Sequence, residues 1–384
     1  MEDILNSSLK LGIVGGGQLG RLLAEKASRW NVEVSFLDGD TEAPAKIICN
    51  NFQQGSINSY DDVLNFGKGL DFVTIESDSV NADALIALDK QGVKTYPKGE
   101  VLKIIQNKGD QREFYKKHDL PSPEFKRYSS KEELLKALDN NDFSLPKIIK
   151  TCSSGYDGKG VFLVKSPKDL DSVPDVELLV EEVVNIKREF SAIAVRSSKG
   201  EVVSYPLIEL FMHSDAYLVD YLVSPVNLDS QLESKAKQIA ESLVEKLEHV
   251  GILAVEMFLD DKDQLYINEC SPRPHNSGHQ TIEGSFTSQY EQHLRAIFGL
   301  PLGNCEMKVP AAMVNLLGDD SGSGKPKYRG LEECLKIPGA NIHIYGKKET
   351  RPNRKMGHVT IVDSDVKKLS SGIEKVKKEL GVGI

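Results

Sequence analysis

Two glutamates inside strand-like runs are the residues of this chain best placed to do chemistry. Residues 251–259 read GILAVEMFL and 265–269 read LYINE, with DDKDQ between them. The apolar, branched runs suit paired buried strands, and the polar insert suits the turn of a hairpin. Each strand carries one carboxylate, Glu256 and Glu269. A lone carboxylate in an apolar strand is costly, so two on paired strands call for a cation between them. Hard oxygen donors suit magnesium, which also favours phosphate oxygens in its shell. The loop that follows, Ser271-Pro-Arg-Pro-His-Asn-Ser-Gly-His279, is stiffened by two prolines and presents Arg273, His275 and Asn276. These residues read as a metal–nucleotide site with a cationic rim. A surface hairpin with two salt-bridged glutamates is the competing reading.

Three further stretches carry phosphate-binding chemistry. The run LPKIIK ends in Lys150 and leads into Thr151-Cys-Ser-Ser-Gly-Tyr-Asp-Gly-Lys-Gly160, then VFLVK. Strand, glycine loop, strand is a hairpin, unlike a Walker loop, which opens a helix. Its backbone amides can cover phosphates, with Lys150 and Lys159 adding charge; an ordinary flexible hairpin is equally compatible. Near the C-terminus, His343, Lys347, Lys348, Arg351, Arg354, Lys355 and His358 form a basic cluster broken by turn residues. In an acidic chain such a cluster suits a phosphate pocket better than a solvated stripe, each charged hydrogen bond contributing roughly 1.5–3 kcal/mol. At the start, Gly15, Gly17 and Gly20 match a dinucleotide fingerprint and Asp38 lies about where a ribose-binding acid would sit. Taken alone, this predicts NAD, although glycines at such a turn state only that something anionic or a packed helix comes close.

The elements that must position these groups can be read along the chain. Strand–helix alternation over residues 1 to about 100 predicts a parallel sheet, with Glu76 at a strand's C-terminal end, where open sheets bind ligands. Residues 101–118 predict one charged helix. The run VELLVEEVV predicts a strand whose end, Glu181 to Val184, could read a base edge, with Glu189 next for ribose hydroxyls. Residues 185–225 predict an antiparallel sheet. Gln231 to His249 predicts an amphipathic helix with Leu232, Ala236, Ile239, Ala240, Leu243 and Leu247 on its apolar face. Residues 364–384 predict a closing charged helix.

The 384 residues allow two or three domains. A hydrophobic share of 40%, a charged share of 27% and a net charge of -9 fit a globular protein and argue against general nucleic-acid binding. Five scattered cysteines without metal-ligand spacing read as reduced thiols of a cytoplasmic protein. No apolar run reaches membrane-spanning length and no signal-peptide pattern opens the chain.

Four segments, GIVGGGQLGRLL, SGYDGKGV, INECSPRPHNSGH and YGKKETRPNRKMGH, run through nearly the whole chain. Together they resemble the ATP-grasp superfamily, and within it the 5-(carboxyamino)imidazole ribonucleotide synthases. The resemblance implies an α/β (α+β overall) ATP-grasp fold. It divides the chain into a Rossmann-like domain at 1–108, a lid at 109–184, and a C-terminal domain at 185–384 holding the metal site and phosphate clamp. It implies ATP-dependent carboxylation of aminoimidazole ribonucleotide by bicarbonate through carboxyphosphate, in purine biosynthesis, with Mg2+, as a homodimer without nucleic-acid or membrane partners. A formate-using glycinamide ribonucleotide formyltransferase is the related alternative. By the same resemblance, ATP would meet Lys108, Lys150, Ser154, Gly155, Tyr156, Asp157, Gly158, Lys159, Gly160, Glu181, Glu182, Val183, Val184, Glu189, His213, Asn268 and Glu269. Magnesium would lie between Glu256 and Glu269. The ribonucleotide and bicarbonate would meet Gln18, Leu19, Glu76, Tyr156, Lys159, Arg273, His275 and Asn276, with Lys347, Arg354 and Lys355 on the 5′-phosphate. Arg273, Lys159 and His275 would be the catalytic set.

The sequence departs from the family pattern at Cys152-Ser153-Ser154, at Glu76-Ser77-Asp78-Ser79, at Lys108, where arginine is common, and at Met212, beside His213. An oxidoreductase would rest on the glycine turn and Asp38 alone, and a non-enzymatic nucleotide sensor would leave the full charged set without a task.

Overall fold

The computed structural model of the protein describes residues 8–153, 160–213 and 218–384. The first unit runs β1 (Lys10–Val14), α1 (Gln18–Ala27), β2 (Glu33–Asp38), β3 (Asn51–Gln54), α2 (Tyr60–Gly67), β4 (Phe72–Ile75), α3 (Ala82–Lys90) and β5 (Lys94–Tyr96). Its strands pair in parallel in the order β3-β2-β1-β4-β5. Leu11, Ile13, Val14, Phe72, Val73 and Ile75 are all buried, as expected for a sheet covered on both faces. The expected parallel sheet is present.

Two helices, α4 (Gly99–Gln106) and α5 (Lys108–Lys117), stand where one was predicted over 101–118. The break is Asn107, which is extended at φ -118° and caps α5 by accepting from the Asp110 amide. Its side chain also reaches Glu177 at 3.2 Å, and its backbone bridges to Ser153. Asparagine competes well with helix continuation when its side chain can cap. The second unit follows as β6 (Phe125–Tyr128), α6 (Lys131–Asp139), β7 (Lys147–Thr151), β8 (Val161–Val164) and β9 (Leu178–Glu181). These strands form an antiparallel sheet in the order β6-β9-β7-β8, over a small core that includes Leu134, Ile149, Val164 and Leu178.

The third unit contains β10 (Ile186–Arg196), β11 (Val202–Ser204), β12 (Ile208–Met212), β13 (Val219–Ser224), α7 (Ser230–Lys246), β14 (Gly251–Asp260), β15 (Leu265–Ser271), α8 (Thr281–Gly284), α9 (Gln289–Ile297) and β16 (Ala311–Leu317). It closes with β17 (Lys327–Arg329), α10 (Leu331–Leu335), β18 (Ala340–Ile344), β19 (Lys355–Val362), α11 (Val366–Glu379) and β20 (Gly381–Gly383). One antiparallel sheet runs β15-β14-β10-β12-β13-β16-β19-β18, with β11 on β10. The carboxylate hairpin and the C-terminal basic loop therefore lie on one continuous sheet. The helix predicted to reach residue 384 stops at Glu379, and the last residues pair with β17 instead.

Helix α7 buries the predicted stripe: Ala236, Ile239, Ala240, Leu243 and Leu247 pack with Phe190, Leu253 and Val255, and Leu232 flanks them. Each large aliphatic side chain buried this way contributes roughly 1.5–3 kcal/mol. Helix α9 does the opposite job, joining two units. Tyr290, Leu294, Ile297 and Phe298 pack with Leu11, Ile13 and Phe36 of the parallel sheet and with Leu23 of α1. Among the described residues no helix is long and apolar enough to cross a membrane.

The junction also holds two buried histidines. The Ile252 amide donates to His293 Nδ1 at 3.1 Å, so Nε2 carries the proton and donates to Thr74 Oγ1 at 2.9 Å. His249 Nε2 donates to the Ile252 carbonyl at 2.9 Å. Burial holds His249 down at about 4 and His293 down at about 3, from the usual 6.5. Their unfolded forms bind protons first as pH falls. The stability they contribute is therefore complete above about pH 6.5 and is lost toward pH 4 to 3, at up to ~1.4 kcal/mol per pH unit for each ring. Urea unfolding followed from pH 7.5 to 5 should show a falling midpoint and proton uptake on unfolding. A level midpoint across that range contradicts the assignment.

Candidate active site

The β14–β15 hairpin places Glu256 directly opposite Glu269. Just beyond that pair the register shifts, so that Met257 faces Ile267 and Asn268 has no partner residue of its own. This bulge breaks the in–out alternation. Asn268 and Glu269 both lie outside the core, between buried Ile267 and Cys270. Like charges facing each other across a strand pair repel, and Lys108 Nζ answers one of them, 3.6 Å from Glu269 Oε2. Two carboxylates and an amide oxygen in one cleft are a hard-oxygen donor set. They fit magnesium only if nucleotide phosphates and water complete the shell, because no group of three metal-binding acidic, histidine or cysteine side chains occurs among the described residues.

Behind this pair lies a buried charge network. Arg112 Nε meets Glu181 Oε1 at 2.5 Å, and Lys150 Nζ meets Glu181 Oε2 at 2.9 Å. Lys150 also donates to Asn268 Oδ1 at 3.1 Å. Burial alone would push the Glu181 carboxyl up, but Arg112 and Lys150 outweigh it and hold it below the usual range. The side chain of Glu181 is 3% exposed and faces inward, so only backbone groups of that residue can serve as a base edge. Glu182 likewise pairs with Lys147 at 2.7 Å, while Val183 is exposed beyond them.

A cleft of about 640 Å³ opens next to this strand end, lined by Glu189, Phe211, Met212, His213 and Tyr221 among others. Phe211 and Tyr221 stack at 4.4 Å with planes 7° apart. Burial raises the Glu189 carboxyl above its ordinary value. Of the glycine loop, Ser154, Gly155, Tyr156, Asp157, Gly158 and Lys159 lie outside the described residues. Gly160, at φ 79°, accepts from the Thr151 amide at 3.0 Å and closes the hairpin on Lys150.

The glycine turn at the start of α1 has a different occupant from the one its fingerprint suggests. Asp38 Oδ2 accepts from the Gly16 amide at 2.6 Å and Oδ1 from the Asp40 amide at 2.8 Å, so both its oxygens brace the turn. The space above Gly17 is filled by Glu76: a Cβ there would sit 2.2 Å from Glu76 Oε1. The Leu19 amide points at the same oxygen from 3.4 Å, at the residue after Gln18. Burial, partly countered by Arg273, pushes the Glu76 carboxyl up to about 7. The NAD reading loses its ribose acid here.

Arg273 lies across from Glu76 in a two-pronged grip on Asp78, at 2.9 and 2.7 Å. Ser271 Oγ donates to the same carboxylate at 3.0 Å. Asn276 and Asn315 exchange amide hydrogen bonds at 2.9 and 3.1 Å, which ties the loop to β16. On the far side, Lys347 Nζ donates to the Lys355 carbonyl at 2.7 Å and Arg354 to the Glu349 carbonyl at 2.8 Å. Burial, reinforced by Arg354, lowers Lys347 to about 8. Lys347 lies within electrostatic range of Glu76, and Lys355 within range of His275, so the basic loop converges on the 273–276 rim.

His343 and His358, grouped in the sequence with that basic cluster, belong elsewhere. His279, His358 and His343 form a ring stack at 4.4 and 4.3 Å. It is edged by Tyr290 on His279 and Tyr345 on His358, both at 2.9 Å. Burial holds His279 at about 3 and His358 well below its ordinary value, so these two rings are neutral, while His343 Nε2 lies 2.9 Å from Glu283 Oε1. Sequence reasoning also missed Arg21, which donates to the Tyr345 carbonyl at 3.3 Å, and Asp78. The thiols are poor nucleophiles: burial pushes Cys152 up to about 11 and Cys270 to about 12. Charge neutralisation and positioning are what this cleft can supply.

Comparison with known proteins finds three family domains along the chain, with the ATP-grasp match running across the second unit into the third. A ribonucleotide synthetase preATP-grasp domain matches residues 8–106, an ATP-grasp domain 113–290, and a phosphoribosylaminoimidazole carboxylase C-terminal domain 311–371. The chloroplastic phosphoribosylaminoimidazole carboxylase of Vigna aconitifolia is 36% identical over 94% of this chain, which spans 66% of that relative's length. The solved N5-carboxyaminoimidazole ribonucleotide synthetase of Thermotoga maritima has 39% identity and a TM-score of 0.89, covering 98% of this chain and 99% of its own. The N5-carboxyaminoimidazole synthase of Aspergillus clavatus, solved with ADP and 5-aminoimidazole ribonucleotide, has 32% identity and a TM-score of 0.86, covering 97% and 98%.

The Glu181 network makes a stability prediction. Glu181→Gln leaves two buried cations without their counter-charge and should destabilise the fold by roughly 3–5 kcal/mol. Denaturant unfolding of the purified variant measures this, and a loss below about 1 kcal/mol would show that the network is not a buried ion pair in solution.

Proposed function

The chain belongs to the N5-carboxyaminoimidazole ribonucleotide synthase family of ATP-grasp enzymes, and from that we propose that it carboxylates 5-aminoimidazole ribonucleotide with ATP and bicarbonate. The observation that carries the reading is the convergence of three groups on one rim. They are the facing pair Glu256 and Glu269, the anchored Arg273, and the basic loop of Lys347, Arg354 and Lys355.

In the first step a bicarbonate oxygen attacks the γ-phosphorus, the bond to the β-phosphate oxygen breaks, and ADP leaves carboxyphosphate behind. Lys150, fixed by Glu181 and Asn268, is set to hold phosphate oxygens, and the glycine loop would cover them. Glu256 and Glu269 would hold magnesium, which would neutralise phosphate charge when bound. Arg273 offers its remaining guanidinium N–H groups to the bicarbonate-derived anion. The C–O bond of carboxyphosphate then breaks to carbon dioxide and phosphate. The exocyclic amine of the aminoimidazole adds to that carbon, and its proton passes to the departing phosphate. Lys347, Arg354 and Lys355 grip the ribonucleotide 5′-phosphate, and Glu76 faces the imidazole end with Leu19. Glu189 and His213 line the adenosine end. No covalent bond to the protein forms, in keeping with the suppressed thiols. The five unpaired cysteines suit a reducing compartment, and we place the reaction in the cytoplasm.

Purified protein given ATP, bicarbonate and aminoimidazole ribonucleotide should release ADP in a ribonucleotide-dependent way, and replacing bicarbonate by formate with glycinamide ribonucleotide should not. ADP release indifferent to the ribonucleotide would sink the proposal. Glu269→Gln should lower turnover by roughly 10²-fold or more. It should fold as well as the parent, since it relieves the repulsion between facing carboxylates; full turnover would remove the metal assignment.

A further inference from the structure

The chemistry of the His275 side chain is fixed by hydrogen bonds from its own loop. It precedes a single 3₁₀ turn, Asn276–Gly278, and caps it: the Ser277 amide donates to His275 Nδ1 at 3.3 Å. Caps are usually Ser, Thr, Asp or Asn, because the position needs an acceptor. A ring nitrogen can take that place only if it carries no proton. The Ser277 hydroxyl lies 2.9 Å from the same nitrogen, and since Nδ1 is the acceptor, that hydroxyl must be the donor. Ser277 Oγ in turn lies 2.7 Å from Ser191 Oγ, so Ser191 must donate to it.

The chain of protons therefore runs Ser191, Ser277, His275 Nδ1. Ser277 is 1% exposed and Ser191 0%, so water does not compete for either bond. Ser191 lies inside β10, in register with Glu256, and the rigid sheet fixes the far end of the relay. Glu256 Oε1 is 3.9 Å from Nδ1, beyond hydrogen-bond reach, and does not enter the chain. The neutral ring's single proton lies on Nε2, and no described residue accepts it.

We infer that Ser277 and Ser191 are positioning residues for the carboxylation. They hold His275 as the Nε2–H tautomer, so that the ring meets the bicarbonate-derived group as a hydrogen-bond donor and not as a base. This rests on the function proposed above for the rim. A tautomer pinned from behind presents its donor without reorganisation as charge develops on the transferred group.

Histidine-labelled protein tests the first half without any turnover. The ¹⁵N ring signals that vanish in His275→Gln should show an unprotonated Nδ1 and a protonated Nε2. Ser277→Ala and Ser191→Ala should move those signals, Ser277→Ala more. Activity tests the second half. Ser277→Ala should lose roughly three- to tenfold in ribonucleotide-dependent kcat, the effect of one neutral hydrogen bond, with KM for ATP within about twofold. His275→Gln, whose amide offers an N–H near the Nε2 position, should keep more activity than His275→Leu. A protonated Nδ1 in the parent, or ring signals unmoved by both serine changes, overturns the tautomer assignment whatever the activity. Equal activities of the Gln and Leu variants overturn the donor role. A parent protein with no ribonucleotide-dependent turnover overturns the reaction, while the ring signals still decide the tautomer.

Discussion

Burying a carboxylate between two cations is the constraint on which the rest of this structure depends. Glu181 ends β9, Arg112 lies on α5, Lys150 on the neighbouring β7, and Asn268 in the bulge of the carboxylate hairpin. Four separate stretches of chain must arrive together, or a charge is left in the interior at a cost of several kcal/mol. A hydrophobic contact could slide by an ångström with little loss. A two-cation contact to one carboxylate cannot, because its strength depends on short, directed hydrogen bonds. The network therefore registers the β6–β9 sheet against the hairpin, and through Lys150 it ties that sheet to Asn268, beside Glu269.

The same logic explains which parts of the site were legible in the sequence. Glu256 and Glu269 stood out because a charged residue in an apolar strand run violates the ordinary pattern. Lys347, Arg354 and Lys355 stood out because they interrupt turn residues in an acidic chain. Both signals are local. Glu181 was read as part of a base-reading strand end and Asp78 only as part of a departure from the family pattern, and only long-range contacts, Arg112 with Glu181 and Asp78 with Arg273, show one as an anchor and the other as a clamp. Periodicity described the amphipathic α7 well, whereas Asn107 broke a predicted helix through capping and bridging bonds to Ser153 and Glu177 that no periodicity encodes. The glycine fingerprint was legible but degenerate. It reports a close approach, and here what approaches is Glu76 from the next strand.

The histidines illustrate how burial changes the meaning of a residue type. Counted along the sequence, His343 and His358 add to a basic cluster. In the fold they stack face to face with His279, and desolvation keeps His279 and His358 uncharged. Three adjacent imidazolium ions would repel strongly in a low-dielectric wall, while neutral rings pack as aromatics. His279 and His358 can thus pack densely without adding to the positive field of Lys347, Arg354 and Lys355.

Arg273 shows how such a site can bind an anion without trapping it. Its guanidinium already donates to Asp78 through Nε and Nη2 and to the Pro274 carbonyl through Nη1. That leaves two of its five N–H groups for a substrate. A guanidinium free to embrace bicarbonate with all its donors would lower the energy of the bound ground state and gain nothing at the barrier. One restrained by Asp78 offers a weaker, fixed pair of donors, already oriented, whose value rises as negative charge shifts onto the transferred group. Glu76, held near neutrality by burial, faces it without cancelling its charge in full. Within Ser77-Asp78-Ser79, where the sequence departs from the family pattern, it is the Asp78 carboxylate that holds the arginine in place.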